Sequence, residues 1–143
     1  MKYRSKNKCH PYVYAGLTKE GKRFIRDNVK PSLEQMDIVA RTCCYEMDVT
    51  MDEFLSSTRE RNVVDARKMF YYLCREDLYL FTHRVIGAYA GNRDHSTVVY
   101  GVQRAGELLQ IDKQFRLKYK AARLKARQIL KLNGHEFHWK ELP

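Results

Sequence analysis

Gly91-Asn92-Arg93-Asp94-His95-Ser96-Thr97-Val98-Val99 is the stretch from which the rest of the chain is read. Gly-Asn marks a turn, because both residues tolerate a left-handed backbone. The polar run then gives way to Val98, Val99 and Val102, so a helix starts near Arg93 or Asp94. Its first turn exposes Asp94, His95, Ser96 and Thr97, with the valines anchoring it from behind. Before the turn, Thr82-His83-Arg84-Val85-Ile86-Gly87-Ala88-Tyr89 reads as a short helix capped by Thr82. Helix, glycine-containing turn, helix with a polar leading end is the pattern of a helix-turn-helix. In that geometry the second helix offers its N-terminal residues to base edges in the major groove. Asp accepts from cytosine N4, Ser serves as donor or acceptor, and a Thr methyl touches the thymine methyl. The same local pattern also describes a helix hairpin in an ordinary bundle.

Asn92-Arg93-Asp94-His95-Ser96-Thr97-Val98 resembles the signature of the C-terminal DNA-binding domain of the bacterial replication initiator DnaA, usually Gly-Arg-Asp-His-Thr-Thr-Val. Upstream, Asp52 to Arg61 resembles that family's short helix and basic loop. Ala66-Arg67-Lys68-Met69-Phe70-Tyr71-Tyr72-Leu73 resembles the long helix that follows. In order and spacing the resemblance runs from about Leu33 to Leu109. Asn92 stands where the family has a second Gly, and Ser96 where it has a first Thr. Asp65-Ala66-Arg67-Lys68 replaces its usual Arg-Pro-Arg-Gln, and Thr58 and Glu60 thin the basic loop.

The resemblance implies an all-α, helix-turn-helix domain that binds double-stranded DNA at DnaA-box-like sites. It assigns Arg93, Asp94, His95, Ser96 and Thr97 to the major groove. In the family a loop arginine enters the minor groove, which gives that role to Arg59, the closer positional match, with Arg61 beside it. Arg67, Lys68 and Arg75 of the long helix, with Thr82 and Arg84 of the helix before the turn, are expected to meet phosphate or base. Phe54, Leu55, Phe70, Leu73, Ile86 and Val99 are expected in the core.

The resemblance, with the charge distribution, implies three segments. Residues 1–31 form a basic extension, 32–111 the helix-turn-helix domain, and 112–143 a basic C-terminal helix and tail. The net charge of +10 is uneven. Residues 1–30 hold nine Lys/Arg against two Asp/Glu, residues 31–112 nine against thirteen, and residues 113–143 nine against two. A basic balance argues for a polyanionic partner and not for a fold. Here that argument rests on the flanks. In the first flank, Tyr3, Tyr12, Tyr14 and Phe24 alternate with Lys and Arg, which suits base stacking but better suits aromatics that pack on the domain and tie the terminus down.

Further elements read as follows. Ser32 with Gln35 resembles a capping box, opening a helix that carries Leu33, Met36, Ala40, Cys43 and Met47 on one face. Thr50 with Glu53 is a second capping box. Val63, Ala66, Phe70, Leu73 and Asp77 share one spacing on the long helix. Asp112 caps a last helix, Lys113 to Lys131, closed by Asn133-Gly134. That helix carries eight Lys/Arg and no acidic residue, with Phe115, Tyr119, Ala122, Ala126 and Ile129 as its apolar stripe.

Other chemistry finds little support. His95 beside Asp94 lacks a placed nucleophile, so no enzyme is expected. Cys9-His10 with His135-x-x-His138 does not follow a zinc spacing, and neither metal nor cofactor is expected. No Gly-x-x-x-x-Gly-Lys-Ser/Thr sequence is present, so the chain is not expected to be a complete initiator. No apolar run reaches membrane-span length, and the basic start is not followed by one, so it is not a secretory signal. Adjacent Cys43-Cys44 does not suggest a disulfide framework, which points to a cytoplasmic, nucleoid-associated protein. Two functions are consistent with this. One is sequence-specific duplex binding in replication control or transcription regulation. The other is a structural or protein-interaction adaptor, such as a mobile-element or phage accessory protein, that keeps the fold without reading DNA.

Overall fold

The computed structural model describes residues 30–78 and 81–135. Among them are six α-helices and no strand: α1 (Lys30–Met47), α2 (Met51–Leu55), α3 (Arg61–Tyr72), α4 (His83–Tyr89), α5 (His95–Ile111) and α6 (Lys113–Leu132). α1 is already helical at Lys30, so Pro31 and Ser32 lie inside its first turn and not ahead of it. A proline is tolerated there because its missing N–H would be unpaired in any case. Leu33, Met36, Val39, Ala40, Cys43 and Met47 are buried, and so are Ile38 and Cys44. This apolar arc is wide because α1 packs against both α3 and α6. The helix stops where Asp48 turns left-handed (φ 56°) and the Val49 N–H reaches back to the Cys44 carbonyl at 2.9 Å.

α2 is held by its first turn. The Thr50 hydroxyl accepts from the Glu53 N–H at 3.1 Å, and the Glu53 carboxylate accepts from the Thr50 N–H at 2.9 Å. This is the reciprocal capping expected from the sequence. α3 carries Val63, Ala66, Met69 and Phe70 into the core, and Leu73 follows just past its end. Phe70 meets Phe54 edge to face at 5.3 Å and Tyr89 at 5.4 Å, so one ring joins α2, α3 and α4.

At Leu73 the helix loosens into a π-turn, Leu73–Asp77, closed by the Leu78 N–H on the Leu73 carbonyl. Asp77, the last residue of this turn, is buried. There its carboxylate accepts from the Tyr119 hydroxyl and from Arg123 Nε at 3.2 Å, both on α6. On α6 Phe115, Tyr119, Ala122 and Ala126 are buried, as expected. Leu130, not Ile129, completes the stripe, and Ile129 is half-buried at its edge. The 111/112 boundary drawn from the resemblance and the charge distribution therefore falls between two helices that share one core.

Candidate nucleic-acid interface

The turn between α4 and α5 is built by backbone geometry. Gly91 (φ 97°) and Asn92 (φ 58°) are both left-handed. A side chain on Gly91 would also place its Cβ 2.7 Å from the Leu55 carbonyl oxygen, so glycine is required twice over. The Arg93 N–H then bonds the Gly87 carbonyl at 2.7 Å, and α5 begins at His95 behind the extended Asp94. Thr82 caps α4, its hydroxyl accepting from the Val85 N–H at 3.2 Å.

His95, Ser96 and Thr97 are exposed on the first turn of α5 and Asp94 precedes them, as the sequence suggested. Val98 is fully buried behind them and leads the inward row Val98, Val102, Ala105, Leu108. Val99, expected in the core, sits one helical position off that row and is half-buried instead. The Ser96 hydroxyl donates to the Asp94 carboxylate, and His95 Nδ1 lies 3.6 Å from it. The Ser96 bond holds the Asp94 carboxyl below the usual carboxylate range. Asp94 is thus oriented as an acceptor before any ligand arrives.

Arg67, expected to meet phosphate or base, is buried instead. Its Nε donates to the Phe54 carbonyl (2.8 Å), Nη1 to Thr58 (2.7 Å), and Nη2 to Glu53 (3.0 Å) and Ser56 (2.6 Å). Four carbonyls of a short helix and its loop converge on one guanidinium. Phe54 and Ser56 lie at the end of α2 and Thr58 in the loop beyond it, while the Glu53 carbonyl also accepts from the Ser56 N–H and hydroxyl. Arg93 likewise faces inward in part, with Nε on the Ala90 carbonyl and Nη2 on Ser56.

The loop thus held presents Arg59 and borders a cleft of about 410 Å³. Arg59, Lys68, Tyr71, Arg93, Thr97 and Tyr100 are among its lining residues. Arg61 stands apart, its Nε 3.8 Å from Asp65 one turn along α3. Asp65 is half-buried; burial raises its carboxyl, while Lys68, Arg61 and Arg104 oppose the rise. The neighbours of Asp65 therefore include Arg104 on the far half of α5.

Arg75 donates to the Phe81 carbonyl at the end of the long helix, and Arg84 is exposed on α4. His83 was not anticipated from the sequence. Burial, then Arg75 and His95, lower the pKa of its imidazole, and Glu76 opposes them, so His83 neighbours both the end of the long helix and the start of α5. Tyr71 and Tyr100 were missed as well. Tyr71 is too apolar to stand out on a helix of core residues, and only its position opposite α5 brings it into the cleft. Tyr3, Tyr12, Tyr14, Phe24, Cys9, His10 and His138 lie outside the described residues. Among those described, no group of three His, Cys, Asp or Glu is arranged to hold a metal ion. No helix there is long and apolar enough to cross a membrane.

Residues 36–105 match the family model of the bacterial dnaA protein helix-turn-helix. This segment belongs to the DnaA helix-turn-helix family. It is a DNA-binding family, and the match covers α2 to α4 entirely, most of α1, and α5 as far as Ala105. The chain is 28% identical over 118 residues to the chromosomal replication initiator protein DnaA of Sulfurimonas denitrificans, covering 78% of this chain and 27% of that protein. It is 35% identical over 101 residues to the DnaA of Thermomicrobium roseum, covering 71% and 20%. With the DnaA of Clavibacter sepedonicus it is 38% identical over 84 residues, covering 59% and 17%. The chain therefore spans about a quarter or less of these relatives. α6 lies beyond the matched DnaA segment, yet it packs into the same core.

Proposed function

We propose that this DnaA-like domain is a sequence-specific, non-enzymatic binder of double-stranded DNA. It occupies DnaA-box-like sites in replication control or transcription regulation, as a cytoplasmic protein associated with the nucleoid. One observation carries the reading. The exposed first turn of α5 and the exposed Arg59 flank one basic cleft, so base-reading side chains and a loop arginine share one side of the domain. Asp94, His95, Ser96 and Thr97 read the major groove, and Arg59 enters the neighbouring minor groove. Lys68 in that cleft, with the α4 cap Thr82 and Arg84 on α4, supplies phosphate contacts.

Fluorescence anisotropy with a DnaA-box-like duplex, a random duplex and a single strand, each at two salt concentrations, tests this. A preference for the box-like duplex that survives the higher salt supports it. Binding with one affinity to all three would reduce it to non-specific phosphate attraction. No binding to any of them would favour a protein-interaction adaptor.

A further inference from the structure

Tyr71 is almost completely buried, yet its hydroxyl has no hydrogen-bond partner among the described residues. Its ring lies against α5 where Gly101 leaves room. A Cβ on Gly101 would come within 2.5 Å of the ring edge. Any larger residue there would push the ring away, so the small residue and the tyrosine are matched. A covered donor with nothing to donate to is unfavourable in the free protein and asks for an explanation.

The surroundings of Tyr71 supply one. The cleft it lines is also lined by Arg59, Arg67, Lys68 and Arg93 and, among the described residues, by no carboxylate. Arg67 and Arg93 act on the Tyr71 phenol, and Arg93 also disfavours the charge on Arg67. Two guanidinium groups are thus held close to one another by the loop carbonyls. Arg67 spends four of its N–H groups on those carbonyls, while Arg93 spends only two. Neither Arg59 nor Lys68 has an ion pair or a hydrogen bond among the described residues. Burial raises the Tyr71 phenol, which keeps it a neutral donor at any ordinary pH.

We infer that this cleft is a site for one phosphate group, with the Lys68 ammonium as a ligand, the Arg93 guanidinium beneath, Arg59 at the rim, and the Tyr71 hydroxyl, covered in the free protein, as a further ligand uncovered when the anion enters. Charge-assisted donors around a single concave volume favour a compact, multiply accepting anion. The site deepens the DNA-binding reading, which makes the phosphate a backbone diester of the bound duplex. A free phosphate monoester has the same chemistry and is separated from it by the test.

The test uses the full chain with Tyr71→Phe, which keeps the ring against Gly101 and removes only the hydroxyl, and with Lys68→Gln. Tyr71→Phe should weaken box-like and random duplexes by the same factor, about five- to tenfold. Its salt dependence should be unchanged because no charge is removed. Lys68→Gln should weaken both and flatten the slope of log K against log salt by about 0.9. Duplexes with one uncharged methylphosphonate at successive positions should include one on which Tyr71→Phe carries no penalty. In parallel, inorganic phosphate is titrated into protein labelled at the tyrosine Cζ carbons, and the Tyr71 signal should move.

If duplex binds normally to a folded Tyr71→Phe, and phosphate leaves the Tyr71 signal still, the site is refuted while DNA binding stands. If no duplex binds but inorganic phosphate moves the Tyr71 signal in wild type and not in Lys68→Gln, the DNA reading fails. The site then stands as one for a free phosphate. The wild-type Tyr71 signal decides the matter even if a variant fails to fold.

Discussion

Arg67 and Arg93 donate to the same acceptor, the carbonyl oxygen of Ser56. One arginine comes from the middle of α3 and the other from the turn before α5. The loop that carries Arg59 is therefore held between the long helix and the helix-turn-helix by two guanidinium groups. Its geometry is set by residues that do not themselves face outward.

Arg67→Ala is expected to cost about 3 kcal/mol, since it takes the charged donor from the Phe54 and Thr58 carbonyls, while Ser56 keeps Arg93 and Glu53 keeps Ser56. Arg67→Lys keeps the charge but cannot reproduce the planar fork, so most of the destabilisation should remain. Urea unfolding followed by circular dichroism measures this. Wild-type stability in Arg67→Ala would mean that the loop does not depend on the clamp, and would return Arg67 to a direct role with DNA.

The start of α5 should be sensitive to acid. Asp94 is held below the usual carboxylate range chiefly by the Ser96 hydroxyl. Its folded pKa is depressed, so its stabilising effect is full above the ordinary carboxylate pKa and disappears as pH falls through the lowered value. Carbon-detected NMR titration should show Asp94 titrating below a normal aspartate in the wild type and moving up toward it in Ser96→Ala. Identical Asp94 titrations in the two proteins would remove Ser96 as the cause.

Much of this was legible in the sequence, and the exceptions have physical reasons. Caps are local, so Thr50, Thr82 and Asp112 could be read directly, each with a hydroxyl or carboxylate on the correct N–H. The turn at Gly91-Asn92 was legible for the same reason. Val98 and Val99 could not be ranked, because one residue of error in a helix start turns the inward row by about 100°. Arg67 looked like a DNA contact because charge usually means surface, and only the fold shows the loop carbonyls that surround it. Tyr71 is a residue whose meaning depends on α5, a helix distant in sequence. Asp77 did fall on the apolar spacing of α3, but its partners Tyr119 and Arg123 come from a helix outside the family match.

The basic face of α6 can be tested without removing the helix. Phe115, Tyr119, Ala122, Ala126 and Leu130 are buried, so deleting residues 113–143 would open the core and report on folding alone. Lys118, Lys120, Arg127 and Lys131 are exposed. Their replacement by Gln should leave the melting temperature within a few degrees, as surface changes do. If they meet phosphates, duplex affinity should fall for every sequence, and the salt slope should drop by about 0.9 for each phosphate no longer neutralised. An unchanged slope in the folded variant would assign α6 to packing.

Base reading should reside in the exposed first turn of α5. Base contacts specify, whereas phosphate contacts mainly position. Thr97→Ala and His95→Ala should therefore lower affinity for the preferred duplex much more than for random duplex, by on the order of 1–3 kcal/mol where a contact discriminates bases. Arg59→Ala should weaken binding and reduce preference only at A·T-rich positions, because the minor groove distinguishes little else. Neither Thr97 nor His95 donates a helix-capping bond, and both are exposed, so the variants should melt with the wild type. Affinities for both duplexes, measured for each variant at one salt concentration, give the ratio that matters. A wild-type ratio in folded Thr97→Ala and His95→Ala would show that this turn does not read sequence, and the adaptor reading would then explain the exposed polar start of α5 better.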